Sequence, residues 1–223
     1  TALAAFLGGS AGTVLATPTS DLDIVVLLDG DPAPFRQTSR YESVLIDLFV
    51  ETVDAFNAFL DREAARRRSP LLHMCAHGRV LVDRAGVATS IQQGALARLA
   101  DGPQPLSDDE REDSRYQITC LVDDLHGTQD PDELLFVGEQ LLVAVSEFVL
   151  LERQQWLGVG KWLLRRLRVA DPESCERLLA GYRLLIRSSD GSVLGAAAET
   201  VLERSGGRLT DGYYRDGVAA LAV

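Results

Sequence analysis

The chain has 223 residues, of which 46% are hydrophobic and 6% aromatic, and a formal net charge of −11 at pH 7. That is enough apolar material for one large domain or two smaller ones, each with its own core. The negative balance excludes a duplex-binding surface, which needs the opposite sign. Three scattered cysteines, Cys75, Cys120 and Cys175, form no disulfide framework and point to a reducing cytoplasm.

In chain order, Leu3 to Leu7 reads as a strand, followed by a Gly9-Ser10 turn and a loop through Thr19. Ser20 to Asp29 reads as a second strand, closed by the turn chemistry of Gly30-Asp31-Pro32. Arg40 to Glu51 reads as a third. Thr52 to Arg67 has helical spacing through Val53, Phe56, Phe59 and Leu60. Pro70 to His77 is predicted as a short helix stopped by Gly78, and Arg79 to Asp83 as a short strand. Beyond Gly86 only helical spacing is convincing, over 88–100, 107–126, 131–157, 159–168, 172–188 and 192–204. Ser107-Asp108-Asp109-Glu110 has the signature of a helix start. Leu134 to Leu151 is interrupted by Glu139 and Glu147 and reads as a buried helix, not a membrane span. Asp101-Gly102-Pro103 is the best linker, dividing the chain into 1–101 and 102–223.

The chemistry concentrates early. Asp21 and Asp23 lie two apart at the head of the apolar run Ile24 to Leu28, so their carboxylates project from one face. Two such groups repel unless a cation sits between them. Hard oxygen donors suit Mg²⁺, which bridges carboxylates and substrate phosphates. Asp47 lies in the middle of the next apolar strand, where an isolated carboxylate is costly to bury. If that strand pairs beside the first, Asp47 completes a triad around two metal ions that clamp both oxygens of an in-line displacement. Glu51 shares the Asp47 strand face but lies further along it. Gly9 and Ser10 offer a backbone turn and a hydroxyl suited to phosphate.

The Gly-Ser turn, the spacer and the Asp-x-Asp pair, with Thr17-Pro18-Thr19-Ser20 leading into Asp21-Leu22-Asp23 and a later strand acid, resemble the nucleotidyltransferase superfamily that includes DNA polymerase beta. They are most similar to small bacterial members that resemble the aminoglycoside nucleotidyltransferases. The motif-bearing resemblance covers about the first 85 residues, a domain-sized piece. It implies an α+β chain: a nucleotidyltransferase fold of small mixed sheet and flanking helices, then an all-α helical bundle. It further implies transfer of a nucleoside monophosphate from an NTP, ATP foremost, to a small-molecule hydroxyl, with pyrophosphate released. An aminoglycoside-like antibiotic is the sharpest acceptor it suggests. Modification of a protein or tRNA end is an alternative within the superfamily, and a non-catalytic nucleotide-binding or interaction module is one outside it. A glycosyltransferase trails, because its larger nucleotide-sugar domain does not fit the short strand region.

Other residues join as candidates. Ala11-Gly12-Thr13-Val14 brings no positive charge after the Gly-Ser turn. Lys161, the single lysine among 22 basic residues, is the candidate to reach the triphosphate instead. Glu147, with Glu139 as its rival, is the candidate general base. Residues 1–101 hold 9 basic and 12 acidic groups, net −3; the remainder holds 13 and 21, net −8. Asp123 and Asp124 in that more acidic half are candidates to bind a cationic acceptor. His73, Cys75 and His77 carry zinc-type donors, but on a helix only 73 and 77 share a face.

Overall fold

The computed structural model describes residues 1–11, 16, 17 and 19–216. The uncharged stretch 12–14 therefore lies outside the described residues. The chain divides into two compact units, Thr1–Gln104 and the chain from Pro105 onward. The fold is α+β, with all five strands in the first unit and only helices in the second among the described residues.

The first unit comprises β1 (Ala2–Leu7), β2 (Leu22–Leu28), β3 (Phe35–Tyr41), β4 (Val44–Thr52), α1 (Val53–Ala65), α2 (Pro70–His77), β5 (Arg79–Asp83) and α3 (Val87–Asp101). The sheet order is β3-β4-β2-β1-β5. Only β2 and β4 pair in parallel; the other three pairings are antiparallel. In β2 the alternate residues Val25 and Leu27 are fully buried, and Asp23 begins the same row. Phe6 stands opposite Val25 and is also fully buried. Each such side chain contributes roughly 1.5–3 kcal/mol through burial. α1 packs on β4 and β2, α2 on β1 and β2, and α3 on β1 and β5. Thr52 caps α1 by accepting from the Ala55 N–H.

One sequence expectation needs correcting. Arg40 to Glu51 is not one strand. The chain reverses at Glu42, whose φ is +52°. Arg40 and Tyr41 therefore close β3, and β4 begins at Val44. β3, Phe-Arg-Gln-Thr-Ser-Arg-Tyr, is polar and exposed at nearly every position, as suits a sheet edge. Gly78 does stop α2, but with φ −70° rather than in the left-handed region. A Cβ there would lie 2.2 Å from the Met74 carbonyl oxygen, so close backbone approach explains this glycine.

The second unit comprises α4 (Asp108–Gly127), α5 (Pro131–Glu152), α6 (Lys161–Ala170), α7 (Pro172–Ser188) and α8 (Ser192–Arg204). α4 starts with a complete capping box between Ser107 and Glu110. α5 is long and apolar enough to cross a membrane by length and composition, yet here it packs against α4, α6, α7 and α8. It gives Leu134, Leu141, Val145, Phe148 and Val149 to the core. The chain after α8 folds back on α4. Arg115 donates to the Gly206 and Gly207 carbonyls, Leu209 N–H donates to Thr119 Oγ1 at 3.1 Å, and Tyr213 stacks on Tyr116 with ring centroids 4.0 Å apart.

Candidate functional site

The parallel β2–β4 ladder sets Asp23 directly opposite Asp47. Residues paired across a ladder share a face, so both carboxylates emerge on one side of the sheet. Asp21 precedes β2 by one residue and, like Asp23, is partly exposed. On the far side of β4, Thr38 stands opposite Asp47. Three adjacent strands thus bring Asp23, Asp47 and Thr38 into one row.

The Gly-Ser bend meets this row. Gly8 N–H donates to the Asp23 carbonyl at 2.8 Å. Gly9 has φ +66°, and a Cβ there would fall 2.0 Å from Asp23 Oδ2. Only a glycine allows the bend to lie so close to this carboxylate without strain. Ser10 is buried, with its hydroxyl 3.0 Å from that of Ser20, and Ser20 accepts from the Thr17 N–H at 2.9 Å. The bend is therefore tied to the residue that introduces the acid pair.

Asp47 has a partner that no motif announced. Arg36, on β3, donates from Nε to Asp47 Oδ1 at 3.1 Å and from Nη2 to Oδ2. Thr38 Oγ1 donates to Oδ1 at 3.0 Å. Asp47 is only 5% exposed. The Arg36 fork holds its carboxyl below the usual carboxylate range, against the burial that would raise it, and Thr38 adds to the lowering. Asp47 in turn raises the Arg36 pKa, with smaller support from the fields of Asp23 and Asp21. The signal for Arg36 was available in principle: an arginine and a threonine two apart in an extended segment that returns directly into the Asp47 strand.

Asp21 and Asp23 supply hard oxygen donors beside a bend shaped around one of them, which suits a divalent cation. Asp47, the third acid of the row, already accepts from Arg36 and Thr38 through both of its oxygens. Among the described residues no three His, Cys, Asp or Glu side chains form a metal-holding group, so His73, Cys75 and His77 form none. Cys75 is fully buried, and burial, with the nearby Glu63 charge, pushes its thiol up to about 12. Glu51 is partly buried, and burial raises its pKa as well.

The remaining candidates belong to the second unit. Glu147 is half-buried on α5, and Glu139 is exposed on the same helix. Lys161 is exposed at the first position of α6 and forms no ion pair with a described residue. Asp123 and Asp124 line an open cavity of about 640 Å³ together with Asp132, Glu133 and Phe136. Asp123 is ion-paired with Arg208, which also holds Glu199 at 2.9 Å. Sequence reasoning missed Asp132 and Glu133, which face Asp123 and Asp124 across the α4–α5 turn.

No family model matches the chain, and no curated protein matches it. Among solved structures, it is similar to a nucleotidyltransferase-like protein from Exiguobacterium sibiricum 255-15, with 14% identity and a TM-score of 0.48. The match covers 92% of this chain and 70% of that one. Identity at that level says nothing of substrate, and the functional reading rests on the carboxylate row itself.

Proposed function

We propose that the first unit carries a metal-dependent nucleotidyltransferase site, which moves a nucleoside monophosphate from an NTP to a hydroxyl acceptor. The observation that carries this reading is the convergence of Asp23, Asp47 and the Gly9-Ser10 bend. In this reading Asp21 and Asp23 hold a divalent cation, and the backbone and hydroxyl of the bend receive the terminal phosphates. A cation bound there would neutralise the triphosphate and stabilise the departing pyrophosphate. Gly9 keeps the bend close enough for phosphate and carboxylates to share that cation. Asp47, held ionised by Arg36, is a weak base and serves the site as a fixed negative charge.

ATP is the first NTP to test. The acidic cavity on the second unit supports a small cationic acceptor, an aminoglycoside-like aminosugar being the sharpest case, bound by Asp123, Asp124 and their neighbours. Lys161 and Glu147 remain the proposed triphosphate contact and proton acceptor.

The experiment is incubation with α-labelled ATP, Mg²⁺ and a panel of aminosugars, cell protein and tRNA, following label transfer and pyrophosphate release together. Transfer to an aminosugar, reduced by about 10²-fold or more in Asp23→Asn with the fold intact by circular dichroism, is the expected result. Label in protein or tRNA would reassign the acceptor. Tight Mg-ATP binding with no pyrophosphate from any acceptor would replace the enzyme by a binding module.

A further inference from the structure

The carboxylate row carries a cation of its own. Arg36 stands opposite Phe49 in the β3–β4 ladder, and its guanidinium lies over that ring, 4.6 Å from the centroid. From this perch the planar fork reaches both oxygens of Asp47. Such two-pronged pairs are among the stronger charge-assisted contacts and fix orientation as well as charge. The Asp47 side chain is 8% exposed while that of Arg36 is 64% exposed, so the arginine covers the carboxylate from the solvent side. Thr38 fills a further acceptor position on Oδ1. With one divalent cation at Asp21 and Asp23, the charges of the three carboxylates, the guanidinium and that ion would sum to zero.

Building on the metal-dependent reading above, we propose that Arg36 is a positioning residue that stands in for a second divalent ion at Asp47, leaving a site that takes a single ion at Asp21 and Asp23. The stacking on Phe49 and the hydrogen bond from Thr38 hold the arginine and the acid in register, as hydrogen-bonded neighbours orient the ligands of metal centres.

The test is Mn²⁺ titration of the full chain, with free ion followed by paramagnetic resonance, in the presence and absence of a non-hydrolysable ATP analogue. Wild type should bind one ion under both conditions, and Asp23→Asn none. Arg36→Met should bind two, and the double variant Arg36→Met/Asp47→Asn should return to one, which ties the extra ion to Asp47. Asp47→Asn alone should leave the affinity of the single ion within about twofold, whereas loss of a true ligand should weaken it by about tenfold or more. That comparison stands even if Arg36→Met fails to fold. Two ions in wild type, one ion in folded Arg36→Met, or a large affinity loss in Asp47→Asn would each overturn the role of Arg36 while leaving the nucleotidyltransferase reading in place. No ion bound by wild type would remove that reading, and this inference with it.

Discussion

Gly9 shows how one missing methyl group serves a site. Its φ of +66° costs a non-glycine residue about 1 kcal/mol, and an alanine Cβ would occupy the place of Asp23 Oδ2. That oxygen ends a movable side chain, so the alanine is accommodated by swinging the carboxylate away. Gly9→Ala should therefore lower the melting temperature by only a few degrees while reducing nucleotide transfer by more than about tenfold. Calorimetry beside a transfer assay checks it, and equal loss in both would make Gly9 merely structural. At this scale the meeting of Asp23, Asp47 and Gly9 was legible in the sequence because strand periodicity and turn chemistry are local. Arg36 was not, since its partner is eleven residues away and only the β3–β4 register brings them together.

Among the elements, the joint between α1 and α2 depends on a titrating group. Glu63, near the end of α1, accepts from Ser69 Oγ at 3.1 Å and from the Leu71 N–H at the start of α2. Burial raises its pKa to about 7, above the ordinary 4.5, despite those two donors. The folded state thus binds this proton more tightly than the unfolded chain. The stabilisation is complete below about pH 4.5 and is lost as pH rises through about 7. Glu63→Gln keeps the acceptor and removes the charge. It should match wild type near pH 5 and exceed it by about 1–2 kcal/mol near pH 8, read from denaturant midpoints at both pH values. In the second unit, a Cβ on Gly181 would lie 2.5 Å from the Leu194 N atom, where α7 meets α8. Alanine normally gains about 1 kcal/mol over glycine inside a helix. Here the clash with backbone should reverse the sign and cost about 1–3 kcal/mol, measured by urea unfolding. Most helices were legible from their apolar spacing. β3 was not, because an edge strand without buried positions shows no alternation, and the segment after α8 was not, because polar side chains rather than an apolar stripe hold it to α4.

At the scale of the molecule, charge is the distinctive property. The chain carries −11, most of it beyond residue 101, and Asp123, Asp124, Asp132 and Glu133 line one open cavity, with Asp123 paired to Arg208. A cationic acceptor should be drawn by that field, which salt screens over about 10 Å at 0.1 M. Its KM should rise several-fold between about 0.05 and 0.5 M NaCl while the KM for nucleotide changes far less. Asp123→Asn should flatten that dependence, and a salt-independent KM would count against a cationic acceptor. The α+β class was legible because strand-like runs end by Asp83 and only helical spacing follows Gly86. The open cavity at the α4–α5 turn was not, since it is lined by residues of two helices and the turn between them rather than by any one run of residues.

The spacing of Asp23 and Asp47 is fixed by hydrogen-bonded neighbours in a sheet, not by the chain that joins them. Extra residues spliced in at the turn after Gly30, where an added side chain meets nothing within 4 Å, would lengthen the excursion to β3 and leave the two acids as far apart as before. Such a scaffold therefore tolerates a longer loop beyond Leu28, while the pair of acids near the opposite end of β2 stays in step.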